Sequence, residues 1–322
     1  MPATITHAYF AKDLYEVLPD TISSKLDLSR TKMFAQSTDS IMFYNILSLA
    51  PGKSFRKFDH YFHTHNTKAF FISLLDYVKR HNIVDTDTYS FIVGFIAHYV
   101  LDSTIHPYVI YKAGQFNKKD KTTYKYNNIH HFMETFIDND LVIRRENTNP
   151  YKFKISKFCF NTKKFSMDLN NTIDYAFYNT FNIRGMAPKY YKSLKQMKTF
   201  LTLFRIDQFG IKKFFYKLID TFTPRRVFRF EALSYHYPLE DKHNFLNSNH
   251  SMWRNPCDFE MTSTESFIDL YLKSLKEARS IIIKVFDYLN GEDINLEELF
   301  LNKSYITGLN CDEKKELKYF EF

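Results

Sequence analysis

The stretch DTYSFIVGFIAHYVLDSTI, residues 87–105, decides the architecture. Phe91, Ile92, Phe95, Ile96, Tyr99, Val100 and Leu101 recur at helical spacing and form a broad apolar face. Asp85 or Asp87 can cap the start, and Pro107 stands just past the expected end. The same helix carries His98 and Asp102, four positions apart and therefore one turn from each other on one face. His130 and Glu134 repeat that spacing further along the chain. A histidine and a carboxylate so placed can close on one divalent ion or on two adjacent ones, and two such pairs point to a multinuclear metal site.

Working outward, helical periodicity predicts further helices over residues 67–81, 128–141, 169–182, 189–203, 211–222 and 263–289. Alternating β-branched stretches are few and short, so the expected fold is all-α, a compact multi-helix bundle in which ligands from facing helices meet inside. Residues 113–127 (KAGQFNKKDKTTYKY) and 147–164 read as surface loops. The first lies between the two ligand helices, where it can shape the mouth of a site. The chain beyond about residue 290 reads as a tail.

The chain has 322 residues, 44% of them apolar, which is enough for a substantial core. With 7 glycines, 9 prolines and no Gly/Ser/Pro-rich stretch, nothing looks like a linker, and residues 1–322 are expected to form a single domain. Cys159, Cys257 and Cys311 are odd in number and lack any C-x-x-C, so neither a disulfide framework nor a thiolate zinc site is indicated. No signal-peptide pattern and no membrane-length apolar run occurs, and the expectation is a cytoplasmic protein. No glycine-rich phosphate loop, G-x-S-x-G elbow or Rossmann fingerprint is present, which sets aside nucleotide-driven and serine-hydrolase chemistry.

The net charge is +8. A basic run, Lys189, Lys192, Lys195, Lys198, Arg205, Lys212, Lys213, Lys217, Arg225, Arg226 and Arg229, is interleaved with Tyr and Phe. It reads first as the solvated face of two amphipathic helices, and second as a surface for a polyphosphate or for peripheral contact with an anionic membrane.

Several segments, in order, resemble the zinc-dependent phospholipase C family, in particular a signal-less bacterial branch whose members begin M-P-x-x-x-T-H. They are Met1-Pro2-Ala3-Thr4-Ile5-Thr6-His7, Phe34-Ala35-Gln36-Ser37-Thr38-Asp39, Phe62-His63-Thr64-His65-Asn66-Thr67, His98-Tyr99-Val100-Leu101-Asp102 with His106-Pro107, and His130-His131-Phe132-Met133-Glu134. Asn244-Phe245-Leu246-Asn247, His250, Trp253, Pro256 and Glu265-Ser266-Phe267 resemble the family's closing segment. Ser37-Thr38 stand where the family pattern has Gly-Pro before its aspartate. The likeness runs from residue 7 to about 285 and is weakest between 140 and 235.

The resemblance implies a phospholipase C or single-strand nuclease type of bundle holding two or three zinc ions. Asp39, His63, His98 and Asp102 would form one centre, and His106, His130 and Glu134 a second. His7, the N-terminal end of the chain and a bridging Asp102 would form a third. Such thiolate-free ligand sets with open positions are typical of hydrolytic zinc, which makes bound water acidic and neutralises charge on a phosphoryl group under attack. The implied activity is metal-dependent phosphoester hydrolysis, with Asp39 orienting the water and a phosphoester of the phospholipid kind as substrate. Alternatives are a nuclease or nucleotidase of the same fold, with nucleic acid the less favoured partner, and a metal-stabilised binding protein without turnover.

Among the other residues, Asp59 is a reserve carboxylate, and His60 and His65 crowd the His63 segment. His131 is expected to point away from the site, His81, His236 and His243 to lie on the surface, and Trp253 to pack in the core or on the site wall.

Overall fold

The computed structural model describes residues 4–46, 54–224, 229–235, 241 and 243–321. Helices α1 (Thr4–Val17), α2 (Asp20–Ser23) and α3 (Leu28–Phe34) are followed by a 3-10 segment, Ser37–Phe43. Helices α4 (Arg56–Thr64) and α5 (Thr67–Arg80) lead into α6 (Thr86–Ala113). Then come α7 (Ile129–Glu146), α8 (Ile155–Cys159), α9 (Met167–Phe181), α10 (Met186–Phe204), α11 (Ile211–Phe222), α12 (Phe267–Leu289) and α13 (Leu296–Leu299). The strands among the described residues, β1 (Trp253–Arg254) and β2 (Thr262–Ser263), form one short antiparallel pair with Trp253 opposite Ser263. The fold is all-α, as its sequence periodicity implies.

Helix α6 is the axis, packed by α1, α3, α7, α9 and α12. Every residue from Thr88 to Ser103 is buried, the signature of a helix surrounded by others rather than laid on a surface. Asp85 caps it, accepting from the Thr88 amide, while Asp87 takes a different task and pairs with the buried Arg30 at 2.7 Å. One contiguous core runs from Ile5 to Tyr305. No described helix is long and apolar enough to cross a membrane.

Helix α6 does not stop before Pro107 but continues to Ala113. Proline at that position removes one intrahelical donor and frees the carbonyl of Ser103. Gly308, at φ +67°, passes so close to this carbonyl that a Cβ there would lie 2.4 Å from it. The extension matters because it keeps His98, Asp102 and His106 on successive turns of one rigid helix. The residues past 290 are likewise not a loose tail, since the Tyr305 amide donates to the His63 carbonyl at 2.9 Å.

A candidate metal centre

Five elements deliver the eight candidate ligands singled out in the sequence. Helix α1 supplies His7, the 3-10 segment Asp39, α4 His63, α6 His98, Asp102 and His106, and α7 His130 and Glu134. Each position has a local cause. Asp138 on α7, fully buried, accepts from the Ile5 and Thr6 amides and from the Thr6 hydroxyl, which fixes the start of α1 and the orientation of His7 beside it. Gly94 lets α3 approach α6 so closely that a Cβ there would lie 2.7 Å from the Phe34 backbone. That approach puts the Ala35 carbonyl 3.0 Å from His98 Nδ1, one turn further along. Ser37, where the family pattern carries glycine, keeps the left-handed turn that presents Asp39, at φ +40°.

The ring nitrogens follow one pattern. His63 Nδ1 lies 2.8 Å from the Asp59 carbonyl, His98 Nδ1 3.0 Å from that of Ala35, and His106 Nδ1 3.0 Å from that of Tyr305. Donation from Nδ1 to a backbone carbonyl fixes the tautomer that leaves Nε2 free as an acceptor or ligand.

The Nε2 atoms and carboxylate oxygens converge. His98 Nε2 is 3.1 Å from Asp102 Oδ2 and 3.7 Å from Asp39 Oδ2; His7 Nε2 is 3.2 Å from Asp102 Oδ1; His63 Nε2 is 3.1 Å from Asp39 Oδ1. His106 Nε2 is 3.9 Å from Glu134 Oε1, while its Nδ1, the nitrogen turned to Tyr305, lies 3.4 Å from Asp102 Oδ2; His130 Nε2 is 2.7 Å from Glu134 Oε1. Donor atoms sharing one tetrahedral zinc at about 2.0–2.1 Å would stand roughly 3.3 Å apart, so most of these separations are those of co-ligands. Several of the atoms have no hydrogen-bond partner although fully shielded: His98 Nε2, Asp39 Oδ2 and Asp102 Oδ2. Buried polar atoms rarely go unmatched, and atoms that crowd together while misaligned for hydrogen bonding suit a cation at their common focus.

Three ligand groups result, each with donor atoms within 4.8 Å of one another: His7, Asp39, His98 and Asp102; His106, His130 and Glu134; and Asp39, Asp59 and His63. The second is the grouping the resemblance implies. The others differ from it, because the two oxygens of Asp39 face different partners, His63 on one side and His98 on the other. His7 stacks on His98 with ring centroids 4.3 Å apart and joins the Asp102 group directly. Asp102, in reach of His7, His98 and His106, stands between the first two groups. The N-terminal end of the chain, expected as a ligand, lies outside the described residues, as does His236.

The electrostatics suit a dication. Burial pushes Asp39 up, but His98 and the hydrogen bond from His63 outweigh it and hold the carboxyl below its usual range. Burial is likewise overcome at Asp102 by His106, His98 and His7, and at Glu134 by His130 and His106; both sit well below the ordinary carboxylate value. His63 rises to about 10 against its burial because Asp59 and Asp39 flank it. A dication binding here would displace the imidazolium protons and keep the ionised carboxylates as ligands.

The groups floor a cavity of 520 Å³ into which Asp39, Asp59, His63, His106 and His130 face. Its walls include Ile110, Phe116, Tyr126, Ile306 and Leu317, with Lys118 among the residues lining it. The 113–127 loop thus does shape the mouth. His131 is corrected by this geometry: it lines the cavity, 3.6 Å from Glu134, because α7 starts at Ile129 and its first turn opens into the cleft. His65 is exposed and stacks on Tyr61, His60 lines the cavity rim, and Asp59 joins His63. Trp253 packs on Tyr108 in the core, and His81 and His243 are exposed. Tyr305 is the residue that sequence reasoning missed. Its ring packs 5.1 Å from His63 and its carbonyl orients His106, yet a lone tyrosine far from any ligand motif carries no signal.

Among known proteins, a family profile described as zinc dependent phospholipase C matches residues 6–180, just over half of the chain and all eight candidate ligands. No curated protein and no solved structure matches. The chain belongs to the zinc-dependent phospholipase C family.

Proposed function

We propose that the protein is a zinc-dependent phosphoester hydrolase of the phospholipase C type, acting in the cytoplasm as a single domain of residues 1–322. The observation that carries the proposal is the convergence of imidazole and carboxylate atoms, with His98 Nε2, Asp39 Oδ2 and Asp102 Oδ2 unmatched among them, beside an open cavity that Asp39, Asp59, His63, His106 and His130 line. His7, His98 and Asp102, His106, His130 and Glu134, and His63 with Asp39 would hold two or three ions. Zinc there supplies Lewis acidity toward a phosphoryl oxygen and water acidic enough to react near neutral pH.

The chain's own residues do the rest. Asp39 lines the cavity, where its carboxylate can accept a hydrogen bond from a reacting water and orient it. Lys118 at the wall offers a cation to the phosphoester, and Ile110, Ile306 and Leu317 offer an apolar side to a glyceride. A continuous core from Ile5 to Tyr305 supports the single domain, and the free thiols Cys159, Cys257 and Cys311 support a reducing compartment. A second reading, nuclease or nucleotidase, draws on Phe116 and Tyr126, aromatic walls on which a base could stack.

The test is a panel of short-chain phosphatidylcholine and phosphatidylinositol, single-stranded DNA and mononucleotides, run with and without chelator beside elemental analysis. Chelator-sensitive release of phosphorylated headgroup supports the first reading. Cleavage confined to nucleic acid selects the second, and inertness to every phosphoester at full metal loading leaves a metal-stabilised binding protein.

A further inference from the structure

Helix α11 is inside out. Its buried residues are Tyr216 and Asp220, while Ile211, Phe214, Phe215, Leu218, Ile219 and Phe222 are exposed, Phe222 to 81%. At helical spacing these six apolar residues form one stripe facing away from the protein.

What holds the helix in place is polar. Asp207 accepts from the Lys212 and Lys213 amides at its start. Asp220 accepts from the Phe230 and Glu231 amides, and the Tyr216 hydroxyl donates to the Phe204 carbonyl. The 3-10 turn that Asp220 grips is bonded in turn to α7, where Thr135, next to Glu134, donates to the Ala232 carbonyl. The exposed stripe therefore contributes almost nothing to folding. The sequence reading of this segment as a helix with a solvated basic face is corrected accordingly: the outward face is apolar, and Arg205 is buried beside Tyr235.

Lysines border the stripe. Lys217 is exposed beside Phe214, and Lys212 and Lys213 in the first turn are half-buried, the Lys212 ammonium donating to the Leu203 and Ile206 carbonyls, whereas the helix's one carboxylate, Asp220, is buried on the opposite side. Arg225 and Arg226 lie outside the described residues. An aromatic-rich stripe edged by lysine and free of outward carboxylate, on a chain of net charge +8, matches a lipid–water interface with anionic headgroups. We propose that α11 is a membrane-docking helix that lies in the plane of an anionic lipid surface with Phe214, Phe215, Leu218 and Phe222 among the acyl chains. Helix α11 lies outside the stretch matched by the family profile, and the proposal needs no turnover.

The test is co-sedimentation of the full chain with phosphatidylcholine vesicles, with and without phosphatidylglycerol, alongside size-exclusion chromatography. Wild type should bind the anionic vesicles and release as salt rises. The double variant Phe214→Ser/Phe222→Ser should bind on the order of a hundredfold more weakly, with unchanged melting temperature and metal content. Lys217→Glu, which leaves the apolar stripe intact, should weaken binding to anionic vesicles alone. Wild type that ignores vesicles, or a double variant that binds as well as wild type, overturns the proposal. So does a wild-type dimer that the double variant turns into a monomer, since the stripe would then be covered by a second copy.

Discussion

Helices α6 and α11 solve opposite problems with the same alphabet. Helix α6 is buried from Thr88 to Ser103 and carries ionisable side chains into the interior; α11 turns polar groups inward, six apolar ones outward, and lies on the surface. The contrast separates two kinds of informative violation. A buried charge is tolerated only where partners or a bound ion compensate it, so it marks a site within the chain. An exposed apolar stripe is tolerated only where something outside covers it, so it marks a surface made for another phase or molecule.

The strongest test of this contrast is chemical. His98→Ala or His130→Ala should lower the metal content of purified protein and cut phosphoesterase activity by more than the ~10–100-fold typical of residues behind the ligands. Phe214→Ser/Phe222→Ser should leave turnover of a soluble short-chain substrate unchanged. Within the site, Asp102→Asn should cost more activity than Asp59→Asn, because Asp102 alone touches His7, His98 and His106. Equal losses would mean that Asp102 bridges nothing.

Next comes stability. Phe95→Ala on α6 should cost about 3–5 kcal/mol in urea unfolding, whereas Phe214→Ser on α11 should stay within about 0.5 kcal/mol. A large cost at Phe214 would show that the stripe is covered in the folded chain, and the comparison would collapse.

A pH series sharpens the interior half. Burial lifts Asp138 to about 6 despite Arg205 and the donors from Ile5 and Thr6. A carboxyl whose folded value lies above its unfolded one favours the protonated form, so its contribution is greatest below about pH 4 and is lost as pH rises through about 6. The stability of wild type relative to Asp138→Asn should therefore fall by up to about 3 kcal/mol between about pH 4 and 7. A flat difference would show that Asp138 titrates normally. The smallest effect is expected at Ser37→Gly, where relief of a left-handed residue should raise stability by about 0.5–1 kcal/mol with metal content unchanged.

The helical class and α5, α6, α7, α9, α10, α11 and α12 were legible because their periodicity is long and regular. The ligand pairs were legible because i, i+4 spacing survives in any helix. What was hidden depended on neighbours distant in sequence. The run of α6 through Pro107 rests on what surrounds the freed Ser103 carbonyl, among it Gly308. His131 is misread when its neighbour His130 is given the whole ligand face, whereas residues three and four positions before Glu134 both reach it. Helix α11 was placed correctly from its pattern, but which face is inward was set by Asp207, Asp220 and the turn at Phe230–Leu233, none of which periodicity weighs.

The closure of residues 304–308 over His63, Ser103 and His106 has a consequence for timing. The centre draws on His7 and on Tyr305, far apart in sequence, so a ribosome-bound nascent chain holds an incomplete site until the segment around Tyr305 has emerged. Long-range closure of this kind is slow. Metal captured earlier would meet His7, His98 and His130 without the carbonyl that orients His106, and a pulse of zinc during synthesis should load the protein less faithfully than zinc offered after release.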